Sequence, residues 1–197
     1  MSRKELLDAI VAEIMVCRKC KLWRTRKYPV PGEGTPNSQI MFIGEAPGYR
    51  EDVKGKPFVG AAGKLLDTLL SEAGLSRESV FIGNILKCRP PKNRDPSRDE
   101  VETCTPYLNS QIQVIQPKII ITLGNYSTAY IFSKVTLSFN GITRVHGKFY
   151  EASIAGFNVI VFPTFHPAAA LYRPKYKEQL ISDFHALKHK LVENGLF

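Results

Sequence analysis

The chain has 197 residues, of which 44% are hydrophobic, and its 27 Lys and Arg against 18 Asp and Glu give a formal charge of +9. This length predicts one domain over residues 1–197, and the composition excludes a disordered or collagen-like chain. No apolar run approaches the roughly 18 residues of a membrane helix, and Glu5, Asp8 and Glu13 interrupt what would be the apolar segment of a signal peptide. We therefore expect a cytoplasmic protein without membrane association, whose positive charge favours a polyanionic partner.

Apolar strands alternate with amphipathic helices along the chain. The strands are predicted over residues 39–44, 80–84, 118–124 and 158–162. The helices are predicted over residues 2–16, 65–73, from 97 onward, 125–132 and about 175–192. Pro106 is expected to kink or delay the third helix, and residues 135–156 to form a β-hairpin or a loop. The alternation indicates an α/β fold whose mostly parallel sheet is covered on both faces.

Polar residues occur where the predicted strands end. Glu45 follows the first strand, Asn84 ends the second, and His166 comes shortly after the fourth. In parallel sheets the functional loops lie beyond the carboxyl ends of the strands. A lone histidine is more often structural, so its position is the reason to suspect His166. This convergence predicts a functional site at that edge of the sheet.

The glycine-rich loop after the first strand has two features that suit a nucleic acid. Residues 60–63 read Gly-Ala-Ala-Gly before a helix, which would let backbone N–H groups approach a phosphate or a base. Phe58 lies in the same loop, and although a lone phenylalanine is more often a core residue, a loop aromatic can stack on a base. Each feature alone is a weak signal.

Four cysteines need a separate explanation: Cys17, Cys20, Cys88 and Cys104. Lys and Arg flank the first three, which argues against burial in an apolar core and favours thiolates that bind a metal. Four thiolates suit a structural zinc ion or an iron–sulfur cluster. The separation of the last two cysteines is too wide for a zinc-ribbon knuckle, which weakens the zinc alternative without excluding it.

Basic residues surround both cysteine pairs. Runs of charge are usually solvated surface, but a metal that joined the two pairs would bring both basic runs onto one face. Such a face is suited to the phosphates of a nucleic acid. The residues expected to contact phosphates are Arg18, Lys19, Arg24, Arg89 and Arg94.

Taken together, these segments resemble the family 4 uracil-DNA glycosylases, the iron–sulfur branch of the uracil-DNA glycosylase superfamily. The matching motifs are Gly44-Glu45-Ala46-Pro47-Gly48, Pro57-Phe58-Val59-Gly60, Asn84-x2-Lys87-Cys88-Arg89-Pro90 and His166-Pro167-Ala168-Ala169-Ala170-Leu171. The resemblance spans nearly the whole chain and implies a three-layer α/β/α sandwich with a four-stranded, mostly parallel central sheet. It also implies a [4Fe–4S] cluster, held by the four cysteines, that ties residues 17–27 to residues 85–105.

The resemblance further implies excision of uracil from DNA at the start of base excision repair. The uracil would be flipped into a pocket, where Phe58 forms a stacking wall and the Asn84 amide pairs with the Watson–Crick edge of the base. His166 would donate a hydrogen bond toward uracil O2, where negative charge develops during bond cleavage.

The first motif carries one departure from other branches of the superfamily. Ala46 stands where those branches have an Asp that positions water, a feature that family 4 members share. Glu45 is therefore the first candidate to activate water, and Glu51 is the second. Both are expected to line the uracil pocket together with Ala46 and Gly48, and Glu51 is expected to exclude the thymine methyl group.

The remaining expectations concern partners. By resemblance Leu171 would insert into the duplex, with Arg173 near a phosphate. The substrate would be uracil-containing DNA, duplex or single-stranded, bound by a monomer at the nucleoid of a prokaryotic-type cell, and a sliding clamp or another repair protein is a candidate partner. Two alternatives stay open: a non-catalytic, metal-stabilised nucleic-acid-binding module, and a small-molecule α/β enzyme with a structural zinc.

Overall fold

A computed structural model describes residues 1–196 of the chain. The helices are α1 (Arg3–Val16), α2 (Tyr49–Lys54), α3 (Ala61–Glu72), α4 (Arg98–Ile115), α5 (Asn125–Lys134), α6 (Ile142–Val145), α7 (Pro167–Ala170) and α8 (Pro174–Glu193). The strands are β1 (Glu33–Gly34), β2 (Ile40–Gly44), β3 (Phe81–Asn84), β4 (Ile119–Leu123), β5 (Tyr150–Ile154) and β6 (Phe157–Thr164). Within this part of the chain, no helix is both long enough and apolar enough to cross a membrane.

The six strands form one mixed sheet in the order β1-β3-β2-β4-β6-β5. The four predicted strands are confirmed: β3, β2, β4 and β6 run parallel to one another. Every residue of β2, β3 and β4 is buried, so both faces of the sheet are covered.

The predicted count of four strands is wrong, because an antiparallel strand pairs with each edge of the parallel set. β1 has two residues, too few to leave a hydrophobic pattern in the sequence. β5 is half exposed and joins β6 through a tight turn at Ala155 and Gly156. The hairpin expected over residues 135–156 therefore exists, but its second strand lies beyond that range.

Capping boxes determine where the helices α1 and α4 begin. Ser2 and Ser97 both form the predicted capping boxes. α4 begins at Arg98 and runs to Ile115, so Pro106 lies inside it and the expected delay of the helix is wrong. The capping box and a buried apolar face outweigh the one backbone hydrogen bond that proline removes.

Two separate clusters of buried side chains stabilise the fold. The larger one occupies both faces of the sheet, where for example Phe42 of β2 stacks on Phe184 of α8 with ring centroids 6.1 Å apart. The smaller one joins α1, the Lys21–Arg24 turn, the segment after β3, and α4. It contains Cys88 and Cys104, so the expectation that basic neighbours keep Cys88 out of an apolar core is wrong, whereas Cys17 and Cys20 are only partly buried. Lys87, the basic residue directly before Cys88, is buried as well.

Candidate active site

A cavity of about 400 Å³ opens at the carboxyl ends of the parallel strands. All seven residues predicted to contact the base line it: Glu45, Ala46, Gly48, Glu51, Phe58, Asn84 and His166. The sheet brings them together because the parallel strands β3, β2, β4 and β6 lie in this order and end at the same edge. The cavity has the volume of a pocket for a small organic group.

Asn84 ends β3 and is 2% exposed. Its Oδ1 is buried and, within residues 1–196, accepts no hydrogen bond. A Cβ on Gly44 would collide with this oxygen and with the Phe58 ring, so glycine is required for the two side chains to share the space. A buried acceptor without a donor costs about 1–3 kcal/mol, and a ligand that donates there would recover that energy.

Phe58 forms one wall of the pocket from an unusual backbone conformation. Its φ of +50° lies in the left-handed region that non-glycine residues rarely adopt. Its ring stacks on the His166 imidazole at 5.6 Å between centroids, with 27° between the planes. A Cβ on Gly63 would collide with the Phe58 carbonyl, so α3 can pack against this loop only with glycine at that position.

Arg77 fixes the same loop from outside the pocket. Its guanidinium donates to the carbonyls of Pro57 at 2.7 Å and Phe58 at 3.1 Å. Ion pairs with Glu33 of β1 and Asp67 of α3 orient the guanidinium in turn. The sequence interpretation missed Arg77, because its partners are main-chain carbonyls that leave no pattern along the chain.

His166 precedes α7 and presents a neutral imidazole to the pocket. The Ala168 N–H donates to Nδ1 at 3.1 Å, so the proton of the neutral ring resides on Nε2. Burial lowers the pKa of His166 to about 4, although the charge of Glu51 opposes this shift. Gly124, at the end of β4, leaves space beside the histidine, since a Cβ there would lie 3.0 Å from the His166 Cβ. His166 therefore offers an N–H donor without carrying a charge.

Two glutamates line the pocket, and they differ in whether backbone N–H groups hold the carboxylate. Oε1 of Glu51 accepts from the Val59 and Gly60 N–H groups, each at 2.8 Å, and Oε2 lies beside Gly48. Glu45 has no such anchor among the described residues. Burial raises its pKa to about 7, and the negative charge of Asp95 adds to this shift. Glu45 is thus poised to gain or lose a proton near neutral pH.

The four cysteines line a second, smaller cavity. Hydrogen bonds reach two of the sulfurs: Arg26 donates to Cys88 Sγ at 3.0 Å and the Lys87 N–H to Cys104 Sγ at 3.2 Å. Burial raises the pKa of the Cys104 thiol to about 12, and it also raises the pKa values of Cys20 and Cys88. No group of three or more His, Cys, Asp or Glu side chains in residues 1–196 is arranged to hold a single metal ion.

Lys87 lies between the two cavities. It is 1% exposed, and its Nζ donates to the Asn84 carbonyl and to Gln111 Oε1, both at 2.8 Å. Burial lowers the pKa of this ammonium to about 8. The sequence interpretation counted Lys87 in the basic run around the second cysteine pair, which was expected on the surface, and this is wrong because Lys87 is buried. A lysine directly after the apolar Ile85 and Leu86 was a signal of that burial.

The predicted phosphate contacts lie on the surface around the cysteines. Arg18 and Arg24 approach the Trp23 ring at 5.1 and 5.9 Å, and the Lys19 ammonium lies 4.9 Å from the Tyr107 ring. A groove lined by these three basic residues also includes Arg94, which lines the main pocket as well. Arg94 therefore borders both the groove and the pocket.

Three of the predicted DNA contacts, Arg94, Leu171 and Arg173, differ in their surroundings. Arg94 pairs with Glu100 at 2.6 Å, so part of its charge is already neutralised. Leu171 is 42% exposed directly after α7, and Tyr172 next to it is 85% exposed. Arg173 packs over the Tyr176 ring at 5.3 Å. An exposed apolar residue beside the pocket rim is the arrangement expected of an inserting side chain.

Comparisons with known proteins identify the family of the chain. A model described as the uracil DNA glycosylase superfamily matches residues 31–187, which gives the class of the protein. The type-4 uracil-DNA glycosylase of Saccharolobus solfataricus is 56% identical over 94% of this chain and 86% of its own length. That of Archaeoglobus fulgidus is 53% identical over 91% and 90%, and that of Thermotoga maritima 41% identical over 86% and 85%. The chain belongs to the type-4 family of this superfamily, and the resemblance drawn from the motifs is confirmed.

Proposed function

We propose that this protein is a uracil-DNA glycosylase that hydrolyses the N-glycosidic bond of deoxyuridine in DNA and so begins base excision repair. The observation that carries the proposal is the buried Oδ1 of Asn84, which has no donor among residues 1–196, in a pocket that Phe58 and His166 also line. Uracil carries an N3–H donor beside its O4 acceptor, which matches the acceptor and donors of one amide. The membership in the type-4 family supports the same reading.

The pocket selects uracil by pairing and stacking. The flipped base lies against the Phe58 ring, while Asn84 accepts from N3–H and donates to O4. Cytosine presents the reverse pattern of donors and acceptors, so its entry would leave buried groups unpaired at a large cost. Glu51, held by two backbone N–H groups, reaches the space beside Gly48 and excludes the thymine methyl group.

Bond cleavage leaves negative charge on uracil and positive charge on the sugar. His166 donates from Nε2 toward uracil O2, where the charge develops, and as a neutral donor it loses no proton. The water oxygen bonds to C1′ of the sugar while one of its protons passes to the Glu45 carboxylate. The uracil leaves as the anion.

The cysteine cavity is proposed to hold a [4Fe–4S] cluster that acts as a structural cross-link. The four sulfurs line one cavity, and two of them already accept hydrogen bonds that favour thiolates. Four thiolates suit a cluster or a zinc ion, and membership in the type-4 family, the branch that the motif resemblance describes as iron–sulfur, favours the cluster. When bound, the cluster ties residues 17–27 to residues 85–105 within one domain.

The basic groove is proposed to bind the DNA backbone through Arg18, Lys19, Arg24 and Arg94. Outside the groove, Arg89 and Arg173 are proposed to contact phosphates, and Leu171 to fill the gap left by the uridine. Arg24→Gln should weaken DNA binding similarly for all sequences and lower the salt slope by about one unit. Lys134→Gln is the control, because Lys134 ends α5 at the far side from the pocket. A changed sequence preference with an unchanged salt slope would contradict this footprint.

The test of the proposed function is release of free uracil from an oligonucleotide with a single uracil. The wild-type chain should release uracil, and Asn84→Asp should lose discrimination against cytosine because a second acceptor replaces the amide donor. Asn158→Asp, a matched change at an exposed position of β6, should behave as the wild type. DNA binding without any uracil release would favour the non-catalytic module instead.

A further inference from the structure

An exposed tyrosine stands at the rim of the pocket without a role in it. Tyr49 is the first residue of α2, directly after the pocket residue Gly48. It is 63% exposed, whereas most large hydrophobic side chains of this chain are buried. A large aromatic ring that stays in water gains nothing for the fold, so its position needs another explanation.

Arg89 holds this ring in place. Its guanidinium carbon lies 5.2 Å from the Tyr49 ring centre, which is the geometry of a cation–π pair. Its Nε donates to Asn93 Oδ1 at 2.7 Å. Asn93 lines the pocket, and so does Pro90, the residue after Arg89. The ring and the guanidinium are thus attached to the pocket wall from two sides, by α2 and by the segment that follows β3.

We propose that Tyr49 and Arg89 form a stacking subsite for the base next to the flipped uridine on the same strand. Flat aromatic rings combined with arginine are the usual platform for unpaired bases, and they work for any sequence because every base has a π face. The inference rests on the proposed function, since only a flipped uridine in the pocket brings its neighbour to this rim.

A stacking subsite at this position would offset part of the free-energy cost of flipping the uridine. When a uridine leaves the stack, the neighbouring base loses one of its stacking partners, and that loss opposes flipping. The exposed tyrosine ring would replace the missing partner. Within the described residues the terminal nitrogens of Arg89 make no side-chain hydrogen bond, so they stay available for the phosphate between the two nucleotides.

The experiment varies the protein ring and the neighbouring base together. Single-stranded oligonucleotides carry one uracil flanked by adenines, or by an abasic tetrahydrofuran residue on the 5′ side or on the 3′ side. Tyr49→Ala should lower kcat/KM roughly 5- to 150-fold on the adenine-flanked substrate, the equivalent of one base–aromatic stack. The loss should vanish when the stacked neighbour is abasic. Tyr49→Phe should behave as the wild type, because the ring remains.

Controls separate this subsite from the fold and from the proposed function. Tyr28→Ala removes another exposed tyrosine, 48% exposed on a different loop, and should leave both substrates unchanged. Equal losses for Tyr49→Ala on adenine-flanked and abasic-flanked substrates, or no loss on either, would overturn the subsite while uracil release by the wild type upholds the enzyme. Binding measured by fluorescence anisotropy on the same oligonucleotides gives the same comparison without catalysis, so absence of uracil release would overturn only the proposed function.

Discussion

The proposed uracil pocket and the cysteine cavity are built in different ways, although Ala46, which lines the pocket, also packs against the hydrophobic cluster that contains Cys88 and Cys104. In the pocket, the side chains proposed to act are held by the chain itself: His166 by a backbone N–H, Glu51 by two, and the Phe58 loop by Arg77. In the cavity, burial raises the pKa values of Cys20, Cys88 and Cys104, and hydrogen bonds from Arg26 and the Lys87 N–H reach Cys88 and Cys104.

The pocket is preorganised to bind the proposed substrate, and the cavity is preorganised to bind the proposed cofactor. Among residues 1–196 the pocket leaves Asn84 Oδ1 without a donor, and the proposed substrate would supply one. In the cavity the Arg26 guanidinium already faces Cys88, and the proposed cofactor would supply the further positive charge that four thiolates need. We therefore expect changes in the pocket to affect chemistry and changes in the cavity to affect stability.

The largest effect is expected from His166→Ala. The single-turnover rate of uracil release should fall on the order of 10²–10³-fold, because one donor to the leaving group is lost. DNA binding should stay nearly intact, since His166 acts on charge that exists mainly in the transition state. His189→Ala, an exposed histidine of α8, is the matched control. A parent-like rate in His166→Ala would move the leaving-group role to another residue.

The pH dependence of the rate tests Glu45. Its carboxylate accepts the proton of water, and its pKa is raised to about 7, so the active fraction falls about tenfold for each pH unit below that value. Single-turnover rates should therefore rise up to about pH 7 and then level. His166 stays neutral over this range because its pKa is lowered to about 4.

Two variants test whether the bend of the pH–rate profile near pH 7, its inflection, comes from Glu45. Glu45→Gln should give a lower rate without the inflection. Asp95→Asn should move the inflection to lower pH, because it removes the negative charge that helps to raise the pKa of Glu45. A wild-type profile that is flat between about pH 5 and 8 would contradict the role of Glu45 as the base.

A smaller effect is expected from Arg77→Ala, which touches the pocket only through the Phe58 loop. We expect kcat/KM to fall roughly tenfold and inhibition by free uracil to weaken in parallel, because the stacking wall loses its anchors at two carbonyls. Asp67→Asn keeps those anchors and should stay close to the wild type. A lower unfolding temperature with unchanged uracil inhibition would reduce Arg77 to a structural role.

Arg77 also marks the limit of what the sequence predicts. The four central strands and the edge of the sheet that carries the site were predictable, because continuous apolar runs and the polar residues after them are local patterns. Arg77 lies 19 residues from Phe58 along the chain and contacts only its carbonyl oxygen. The two-residue strand β1, which supplies Glu33 to Arg77, leaves no periodicity. Contacts to the main chain across such distances depend on the assembled fold.

The cysteines show the same limit in another form. Their spacing and basic neighbours indicate a metal, but the neighbours of Cys17, Cys20 and Cys88 suggested exposure, and the structure buries Cys88 beside Cys104 in a small separate core. Whether a flanking residue shares the environment of a cysteine depends on the direction of each side chain. That direction is set by packing against α1 and α4, which the local sequence does not encode.

The smallest effect on chemistry is expected from Cys104→Ser, and this is the sharpest test of the comparison. Iron and sulfide should be lost and the unfolding temperature should fall by roughly 10 °C, because a structural cross-link disappears. The single-turnover rate of the folded molecules should stay within about twofold of the parent, since no sulfur reaches the pocket. Stoichiometric zinc in the purified parent would overturn the cluster itself.

The same variant has one route by which it could disturb the pocket. The Lys87 N–H donates to Cys104 Sγ, and Lys87 Nζ holds the Asn84 carbonyl. A fall in rate comparable to that of His166→Ala would therefore mean that the two regions are coupled through Lys87. Lys87→Met would then reproduce the loss while retaining iron, and the cavity would belong to the catalytic apparatus rather than to the scaffold.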